Sequence, residues 1–540
     1  THTLPIDVRR GRSKKTMEDT TTMLVFLLLP ALTILCTLLL RAAISKEHAT
    51  SCSSDAVDVP VPPPSPWRLP LVGNLHQLAG RRLLPHRSLA SLAAAHGPVM
   101  LLRLGQVRAV VVSSAAAARE VMQTHDRVFA SRPSLAVPGK LFYGCTDIAF
   151  APHGPYWVHA RKMSVLHLLS PARVRAYRAV REEEVQALVQ MVHVQRLSCG
   201  GGVVRLSELL AGFAKDVTGR IVFGASPSTA EGWGAKVDTL LEEGNALLGT
   251  FHVQDCFPGL AWLGLGGLDN KVRKAFERID PILEEILEVA GRQLLSPQQD
   301  TPTTTSGSTF VHVMLSLDNI SGGSAAWRFS RDNVKAILMD LFGAGTEATI
   351  VVLEWVMAEL VRNKGAMERL QHELRKSLIS DSDMITEHDL QGMVYLKAVI
   401  KETIRLHPPG PLLLPHEAME STRIQQYHIP RKTMVIINAW AIGRDPHTWE
   451  SPMEFRPERF IGSEVSFRGR HFQLIPFGSG RRMCPGINFT MSILEIAIAN
   501  LVGRFNWALR EGETELDMEE TPGVASRKRV PLCVIARPWP

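Results

Sequence analysis

One cysteine near the C-terminus lies among glycines and arginines, in a pattern suited to metal chemistry. Residues 476–486 read PFGSGRRMCPG, and an apolar helical pattern begins at Ile487. Glycines permit turns that other residues disfavour, so this loop can fold tightly round the Cys484 side chain. The helix start that follows stabilises a thiolate, which is the metal-binding form of cysteine. Arg482 adds a positive charge that suits a metal cofactor bearing carboxylates.

A second group of candidate catalytic residues lies in the stretch LFGAGTEAT at 341–349. It interrupts a long apolar helical pattern that would span roughly 50 Å at about 1.5 Å per residue. Ala344 and the glycines beside it have little or no side chain, which is unusual in the middle of such a helix. Glu347 is a candidate acid, and Ala348 and Thr349 follow it directly.

Helical periodicity dominates the rest of the chain. Helices are predicted at 171–195, 204–222, 234–250, 271–294, 331–362, 364–378, 394–406 and 487–504. Two strands are predicted within 97–114 around a turn at Gly105, with further strands near 427–438 and at the C-terminus. These patterns predict a mainly α fold with small β-sheets.

The N-terminal region predicts a membrane anchor. Residues 23–40, MLVFLLLPALTILCTLLL, form an uncharged run just long enough to span a thinned bilayer as a helix. The absence of a following Ala-x-Ala motif favours a retained anchor, with a cleaved signal peptide as the alternative. We expect a tail at 1–22, the anchor at 23–40, a linker with a stiff proline-rich hinge at 41–74 and a catalytic domain at 75–540.

The orientation predicted for this anchor depends on which lysine and arginine residues are counted. Five bases precede the span within residues 1–16, which by the positive-inside rule places the N-terminus in the cytosol. Counted from Met17, the first methionine, the bases follow the span instead, and the large domain faces the cytosol.

Charge and cysteine usage exclude two classes of protein. Four of the seven net positive charges belong to residues 1–16, so the remainder is no nucleic-acid signature. The seven cysteines are scattered without paired spacing, which argues against a disulfide framework and favours a reducing compartment.

The pattern Phe477-x-x-Gly480-x-Arg482-x-Cys484-x-Gly486 resembles the haem-binding loop of the cytochrome P450 family, the haem-thiolate monooxygenases. The resemblance implies that Cys484 ligates the iron of haem b. It also implies the haem-thiolate fold of that family, with an N-terminal membrane anchor helix.

Further motifs support the resemblance. KETIRLHPP and FRPERF contain Glu402, Arg405 and Arg459, which by resemblance form a buried network on the side of the haem that carries the thiolate. Glu402 and Arg405 are three residues apart, so they share one helix face and can form an ion pair.

The same resemblance implies the residues that hold the haem propionates. WVHAR places Trp157 and Arg161 four apart on a helix face, and His416 in LLPHEA resembles a basic residue of the same role. Together with Arg482, these side chains can supply charge-assisted hydrogen bonds to carboxylates.

By resemblance, Glu347 relays protons, whereas Ala348 stands where the family usually has a threonine that serves oxygen activation. Thr349 lies about 100° round the helix and so is no simple substitute. Three interpretations remain open: a water or substrate hydroxyl replaces the donor, local unwinding brings Thr349 inward, or the chemistry needs no such relay.

The substrate pocket implied by the resemblance is apolar, which favours a small hydrophobic or aromatic substrate held by one or two polar groups. Its predicted lining residues are Leu135, Phe142, Leu247, Phe251, Ala344, Leu412, Leu413, Leu414 and Val524.

No nicotinamide or flavin fingerprint occurs in the sequence, so electrons should come from a separate partner. By resemblance this is a membrane-bound, NADPH-dependent flavoprotein reductase, and Arg481 with the bases at 468–470 is a candidate docking surface. The chain is similar to plant microsomal members, and through YGCTDIAFAPHG and FHVQDCFPGL to grass enzymes that oxidise indole-derived compounds. We therefore expect a single-pass protein of the endoplasmic reticulum membrane with its catalytic domain in the cytosol.

Three functions fit the sequence. The leading one is a monooxygenase that inserts one oxygen atom from O2 into a plant secondary metabolite. The alternative is a haem-thiolate isomerase, lyase or dehydratase that needs no O2, which Ala348 alone supports. The third is a non-catalytic haem-binding protein.

Overall fold

Helices make up most of the part of the chain that the computed structural model describes. That part comprises residues 60–78, 84–198, 200–226, 244, 246–249, 252–259, 268–295, 309–320, 328–378 and 384–540. The expected anchor at 23–40 and most of the helix expected at 234–250 lie outside it. Residues 61–540 form one compact unit.

The described residues contain sixteen α-helices, which are numbered in chain order. They are α1 Leu75–Leu78, α2 Pro85–His96, α3 Ala115–Arg119, α4 Ala136–Leu141, α5 Pro155–His167, α6 Pro171–Ala176, α7 Arg178–Ser198, α8 Leu206–Val222, α9 Val253–Cys256, α10 Leu268–Leu295, α11 Phe310–Ile320, α12 Arg331–Arg362, α13 Lys364–Leu378, α14 Val394–Leu406, α15 Ala439–Ile442 and α16 Ile487–Arg504. A π-helical segment, Glu120–Thr124, continues α3.

In the described part of the chain, nine short strands form three small sheets. The strands are β1 Val99–Leu104, β2 Val107–Val112, β3 Val203–Arg205, β4 His416–Glu417, β5 Thr422–Ile424, β6 Tyr427–Ile429, β7 Met434–Ile437, β8 Phe505–Ala508 and β9 Cys533–Pro538. The sheet orders are β1-β2-β7-β4, β3-β9-β8 and β5-β6, and only the β2–β7 pairing is parallel.

The central helix, α12, is the main scaffold of the fold. The Ser330 side chain accepts a hydrogen bond from the Asn333 amide, and the Asn333 side chain bonds back, so a capping box defines the start. Every residue from 349 to 361 is buried, as expected of a helix that is apolar all round. Within the described residues, α12 is the one helix long and apolar enough to cross a membrane, but here it packs against α8, α14 and α16 in the core.

The β1–β2 turn needs its glycine. Gly105 has φ +62, and a Cβ there would lie 2.6 Å from the Cys256 carbonyl oxygen and 2.7 Å from a Phe257 ring atom. The turn therefore packs directly on the segment that follows α9, which brings one end of the four-stranded sheet beside residues 252–259.

Long stretches of helical periodicity predicted the long helices well, whereas most short helices gave no clear pattern. The helix expected at 171–195 is two helices, because Tyr177 adopts a non-helical ψ of 14° between α6 and α7. The short helices α2, α4 and α11 were not predicted, and α5 was predicted only at the WVHAR motif, where Trp157 and Arg161 share one helix face. In α5 the buried residues are Trp157, Ala160 and Ser164, too few to produce a clear apolar stripe.

Candidate functional site

The cysteine loop at 476–486 is folded tightly against the π-helical segment after α3. Gly480 has φ +68, and a Cβ there would lie 2.1 Å from the Met122 carbonyl oxygen, so no larger residue fits. The Cys484 amide donates to the Phe477 carbonyl over 2.9 Å, which closes the loop just before α16 begins. The loop therefore presents Cys484 at the start of a buried helix.

Two opposing effects act on the Cys484 thiol. Burial raises its pKa, whereas the Gly486 amide and the charge of Arg161 lower it, and burial is the larger effect. Burial therefore works against the thiolate here, and a bound metal ion would favour it.

Three arginines from separate parts of the chain lie at this loop, and one of them, Arg482, belongs to it. Arg482 donates to the carbonyls of Ala130 and Ala151 over 2.6 Å each. Arg132 donates to the carbonyls of residues 149, 414 and 415 over 2.9 Å each, and Arg161 donates to the Met483 carbonyl. All of these acceptors are neutral, so these contacts leave the three positive charges uncompensated.

The pKa values reflect this crowding of like charges. Burial, together with Arg132 and Arg161, lowers the pKa of Arg482 to about 8. Burial also lowers the pKa of Arg132 to about 10. The nearby carboxyls of Asp147 and Asp340 do not offset these charges fully, because burial raises their pKa values too. A dianionic group such as the propionates of a haem fits this donor set.

Trp157 stacks with two of these arginines. The Arg482 guanidinium lies 3.9 Å from the centre of its ring and the Arg161 guanidinium 5.6 Å. Its indole N–H donates to the Ile148 carbonyl over 3.0 Å, so the structure shows Trp157 as a platform for the arginines. Its sequence-based role as a propionate donor stays a prediction.

His416 lies on β4, beside the same arginines. Its Nδ1 is 2.8 Å from the Phe129 carbonyl oxygen. Burial, reinforced by Arg132 and Arg482, lowers its pKa to about 3, so His416 is neutral at physiological pH. In the neutral ring the single N–H is at Nδ1 and donates to this carbonyl, so His416 can donate from Nε2 to a carboxylate only when it is protonated.

The structure brings Glu402, Arg405 and Arg459 together. Arg405 donates to both Glu402 carboxylate oxygens over 2.7 and 2.8 Å, and Arg459 donates to one of them over 3.0 Å. Arg405 also donates to the carbonyls of Gly443 and Pro452, so the cluster ties α14 to the segment that leads into the cysteine loop.

The middle of the central helix has one open side. Ala344 is exposed and Ala348 is partly exposed, although the residues that follow are buried. The Thr349 hydroxyl donates back to the Gly345 carbonyl over 2.6 Å within a continuous helix, so the structure does not support the interpretation that unwinding turns it inward. The buried Thr346 hydroxyl has no hydrogen-bond partner in the described part of the chain.

Glu347 is paired with Arg527, which the sequence analysis did not identify. Arg527 Nε donates to Glu347 Oε1 over 2.7 Å, and Arg527 Nη2 donates to Oε2. The two groups face each other as a two-pronged ion pair across 180 residues of sequence.

A largely apolar cavity of about 190 Å³ lies between α4, the segment 248–256, the segment 411–415 and the turn at 522–526. Its lining includes five predicted pocket residues, Leu135, Leu412, Leu413, Leu414 and Val524.

Other predicted pocket residues lie beside this cavity. Phe142 is buried and stacks on Phe150, a lining residue, with ring centres 5.4 Å apart. Leu247 is buried next to the lining residue Leu248, and Phe251 is outside the described residues. Within the described part of the chain, the lining includes neither Ala344 nor Cys484, so this cavity contains only part of the predicted lining.

The family model for cytochrome P450 matches residues 62–534. Since that span covers most of the chain, the chain belongs to the cytochrome P450 family. The family implies haem with a cysteine thiolate as the cofactor and haem monooxygenase activity. The fold, enzyme class and cofactor expected from the sequence are therefore confirmed.

Comparison with plant relatives supports the plant type. Cytochrome P450 71A4 of Solanum melongena is 43% identical over 481 residues, which is 88% of this chain and 92% of the relative. Norfluorocurarine oxidase of a Strychnos species is 42% identical over 477 residues, which is 87% of this chain and 92% of the relative. A zebrafish cytochrome P450 solved with abiraterone has a TM-score of 0.70 at 26% identity, covering 85% of this chain and all of that one.

The sequence did not predict the two site residues Arg132 and Arg527, because their partners lie in distant parts of the chain. Arg132 bonds to backbone carbonyls from two distant segments, and Arg527 bonds to a carboxylate 180 residues away. Neither contact leaves a local spacing in the sequence.

Proposed function

We propose that this plant haem monooxygenase inserts one oxygen atom into a small, apolar, aromatic metabolite, with indole-derived compounds as the first candidates. The observation that carries the proposal is the cysteine loop, which closes Cys484 onto the start of a buried helix beside three arginines that donate to neutral carbonyls.

In this proposal Cys484 ligates the haem iron, and Arg161, Arg482 and His416 bind the propionates, with His416 protonated beside their negative charge. The bound haem supplies oxygen activation. Phe477 and Gly486 shape the loop round the sulfur, and Trp157 holds the guanidinium of Arg482 in place by stacking. The Glu402–Arg405–Arg459 cluster ties α14 to the carbonyls of Gly443 and Pro452, in the segment that precedes the loop.

The cavity supports an apolar substrate with few polar attachment points. Its lining is mainly Leu, Val, Pro and Phe, and Asp255 is the one lining residue with an ordinarily charged side chain in the described part of the chain. One Asp255 oxygen already accepts the Ala136 amide over 2.7 Å, and burial raises its pKa. The other polar lining residues are His86, His252 and Ser526, and His86 is already paired with Glu520 over 2.8 Å, so His252 and Ser526 are the candidates for orienting a substrate.

Proton delivery at the open side of the central helix is proposed to use an ordered water or a substrate hydroxyl near Ala348. The Thr349 hydroxyl is bonded within the helix, and Ala348 offers no donor. Glu347 remains the nearest acid in sequence and contributes to that route as part of its pair with Arg527.

A haem-thiolate isomerase or dehydratase is a second candidate, which only Ala348 favours. The stoichiometry of turnover separates the two. A monooxygenase consumes one NADPH and one O2 for each product in tightly coupled turnover, whereas a rearrangement consumes neither. Product formed under strict anaerobiosis without NADPH would overturn the proposal.

The proposed electron donor is a membrane-bound, NADPH-dependent flavoprotein reductase. Arg481 is half exposed and lies 3.2 Å from Asp126, and it acts electrostatically on His153 together with Arg127. These groups and the exposed Lys162 lie on the face that carries the cysteine loop, where a negatively charged partner would dock. The proposed location is the endoplasmic reticulum membrane, with residues 23–40 as the anchor and the domain in the cytosol.

A further inference from the structure

The turn at 522–526, called the pocket turn below, forms one wall of the cavity. Pro522, Gly523, Val524 and Ser526 line the cavity. At its base, the Thr521 amide donates to the Arg527 carbonyl over 2.8 Å, which closes the turn as a short hairpin. Arg527 therefore lies at the base of the turn that forms one wall of the cavity.

The central helix holds the pocket turn at three points along its length. Arg527 forms the two-pronged ion pair with Glu347. Two helical turns further on, the Lys528 amide donates to the Glu354 carboxylate over 3.4 Å, and the Trp355 indole N–H donates to the Ser526 carbonyl over 2.9 Å.

The three contacts between the central helix and the pocket turn differ in the part of the turn that they hold. The contacts at Glu354 and Trp355 are buried and use the backbone of the turn, so they fix its fold. The Arg527 pair is formed by side chains and is partly exposed, with 26% of the Arg527 side chain accessible. The Arg527–Glu347 pair contacts the central helix at residue 347. This residue lies beside Ala348 and three residues after Ala344, on the segment proposed to face the haem.

We propose that Arg527 is a positioning residue that sets which position of the bound substrate is oxidised. Through its hydrogen bonds to Glu347, Arg527 fixes the distance between the pocket turn and the oxygen-activating part of the central helix. Val524 and its neighbours then hold the substrate at a fixed distance from that part of the helix. This inference rests on the proposed monooxygenase function.

The close packing of the turn makes small displacements costly. A Cβ on Gly249 would lie 2.6 Å from the Gly523 Cα, so the tip of the turn touches the segment at 246–249. The Ser526 amide donates to the Pro409 carbonyl over 3.0 Å, just before the lining residues Leu412 and Leu413. A shift at the base of the turn is therefore transmitted to three sides of the cavity.

The test compares Arg527→Gln, Glu347→Gln and the double variant in the full-length haem protein, with its reductase in membranes. Arg529→Gln is the matched control, because Arg529 pairs with Asp517 and Glu519 at the surface and does not line the cavity. The probes are 7-ethoxycoumarin and indole, which each offer several oxidisable positions. The readouts are the product ratio, the NADPH used per product and amide hydrogen exchange of residues 520–529.

Both single variants are expected to change the product ratio in the same direction by about fivefold or more, as coupled neighbours do. The double variant should change it no further, and Arg529→Gln should leave it unchanged. Exchange at the Thr521 and Ser526 amides should increase in the Arg527 and Glu347 variants only. Arg527→Lys should restore part of the natural ratio.

An unchanged product ratio in Arg527→Gln, or a change in Glu347→Gln alone, would overturn the inference. The second result would mean that Glu347 acts through its proton and not through the turn. If neither probe is oxidised, unchanged hydrogen exchange in Arg527→Gln overturns the inference by itself. Failure of the proposed function appears differently, as product formation without NADPH and O2 in the natural chain.

Discussion

Arg405 donates to both carboxylate oxygens of Glu402 over 2.7 and 2.8 Å, and neither side chain has accessible surface. The pair lies at the end of α14, where Arg405 also binds the carbonyls of Gly443 and Pro452. A charge buried in this way is stable only while its partner is present.

Glu402→Gln is therefore expected to destabilise the protein strongly. Removing one charge of a buried pair costs about 3–5 kcal/mol, because the remaining guanidinium stays buried without compensation. Denaturant unfolding of the haem-bound protein measures the loss. Glu208→Gln is the control, since Glu208 pairs with Arg205 at the same three-residue spacing with over 60% of both side chains exposed. It should cost less than about 0.5 kcal/mol, and equal losses for both variants would contradict this account.

Arg482→Leu is expected to abolish stable haem retention. The variant removes a guanidinium that stacks on Trp157 and that we assign to a propionate. Haem content per polypeptide after purification is the measurement. Arg481→Leu removes the same charge from the next residue, which points at Asp126 on the surface, and should keep its haem. Full haem content in Arg482→Leu would show that the propionates bind elsewhere.

Ala348→Thr tests how proton delivery works at the open side of the central helix. If an ordered water or a substrate hydroxyl replaces the usual donor, a threonine there should lower the NADPH consumed per product. The comparison is made with Ala348→Val, which adds similar volume without a hydroxyl. An unchanged or poorer yield in Ala348→Thr alone would indicate a pocket built around alanine.

The buried His407 is expected to make stability depend on pH. Burial lowers its pKa, so the folded protein keeps it neutral while the unfolded chain takes up a proton below about pH 6.5. The unfolded state then binds more protons, and folding stability falls as the pH drops below that value, by up to about 1.4 kcal/mol per pH unit.

Unfolding free energies measured from pH 7 to pH 5 check this expectation for His407. His407→Asn should flatten the pH dependence, at the cost of the 2.7 Å contact with Glu359. The exposed His447→Asn is the control and should leave the slope unchanged. The same slope in the natural chain and in His407→Asn would contradict the assignment of a neutral buried imidazole.

Local patterns in the sequence predicted the parts of the molecule that depend on local spacing. The helices α12 and α16 follow from long apolar runs with clear starts, and the Glu402–Arg405 contact follows from their spacing on one helix face. The pairing of Glu347 with Arg527 could not be predicted, because it depends on how a hairpin near the C-terminus docks on the central helix. The neutral state of His416 also needed the structure, since it results from burial among arginines.

The loop that holds Cys484 gives the most direct test of the central claim. Cys484→Ala should remove the thiolate-type absorption spectrum of the reduced carbon monoxide complex, because no other described residue is assigned to the iron. Cys145→Ala, at a partly exposed cysteine outside the loop, should leave that spectrum intact. An unchanged thiolate-type spectrum in Cys484→Ala would contradict the assignment of this loop as the haem-thiolate site.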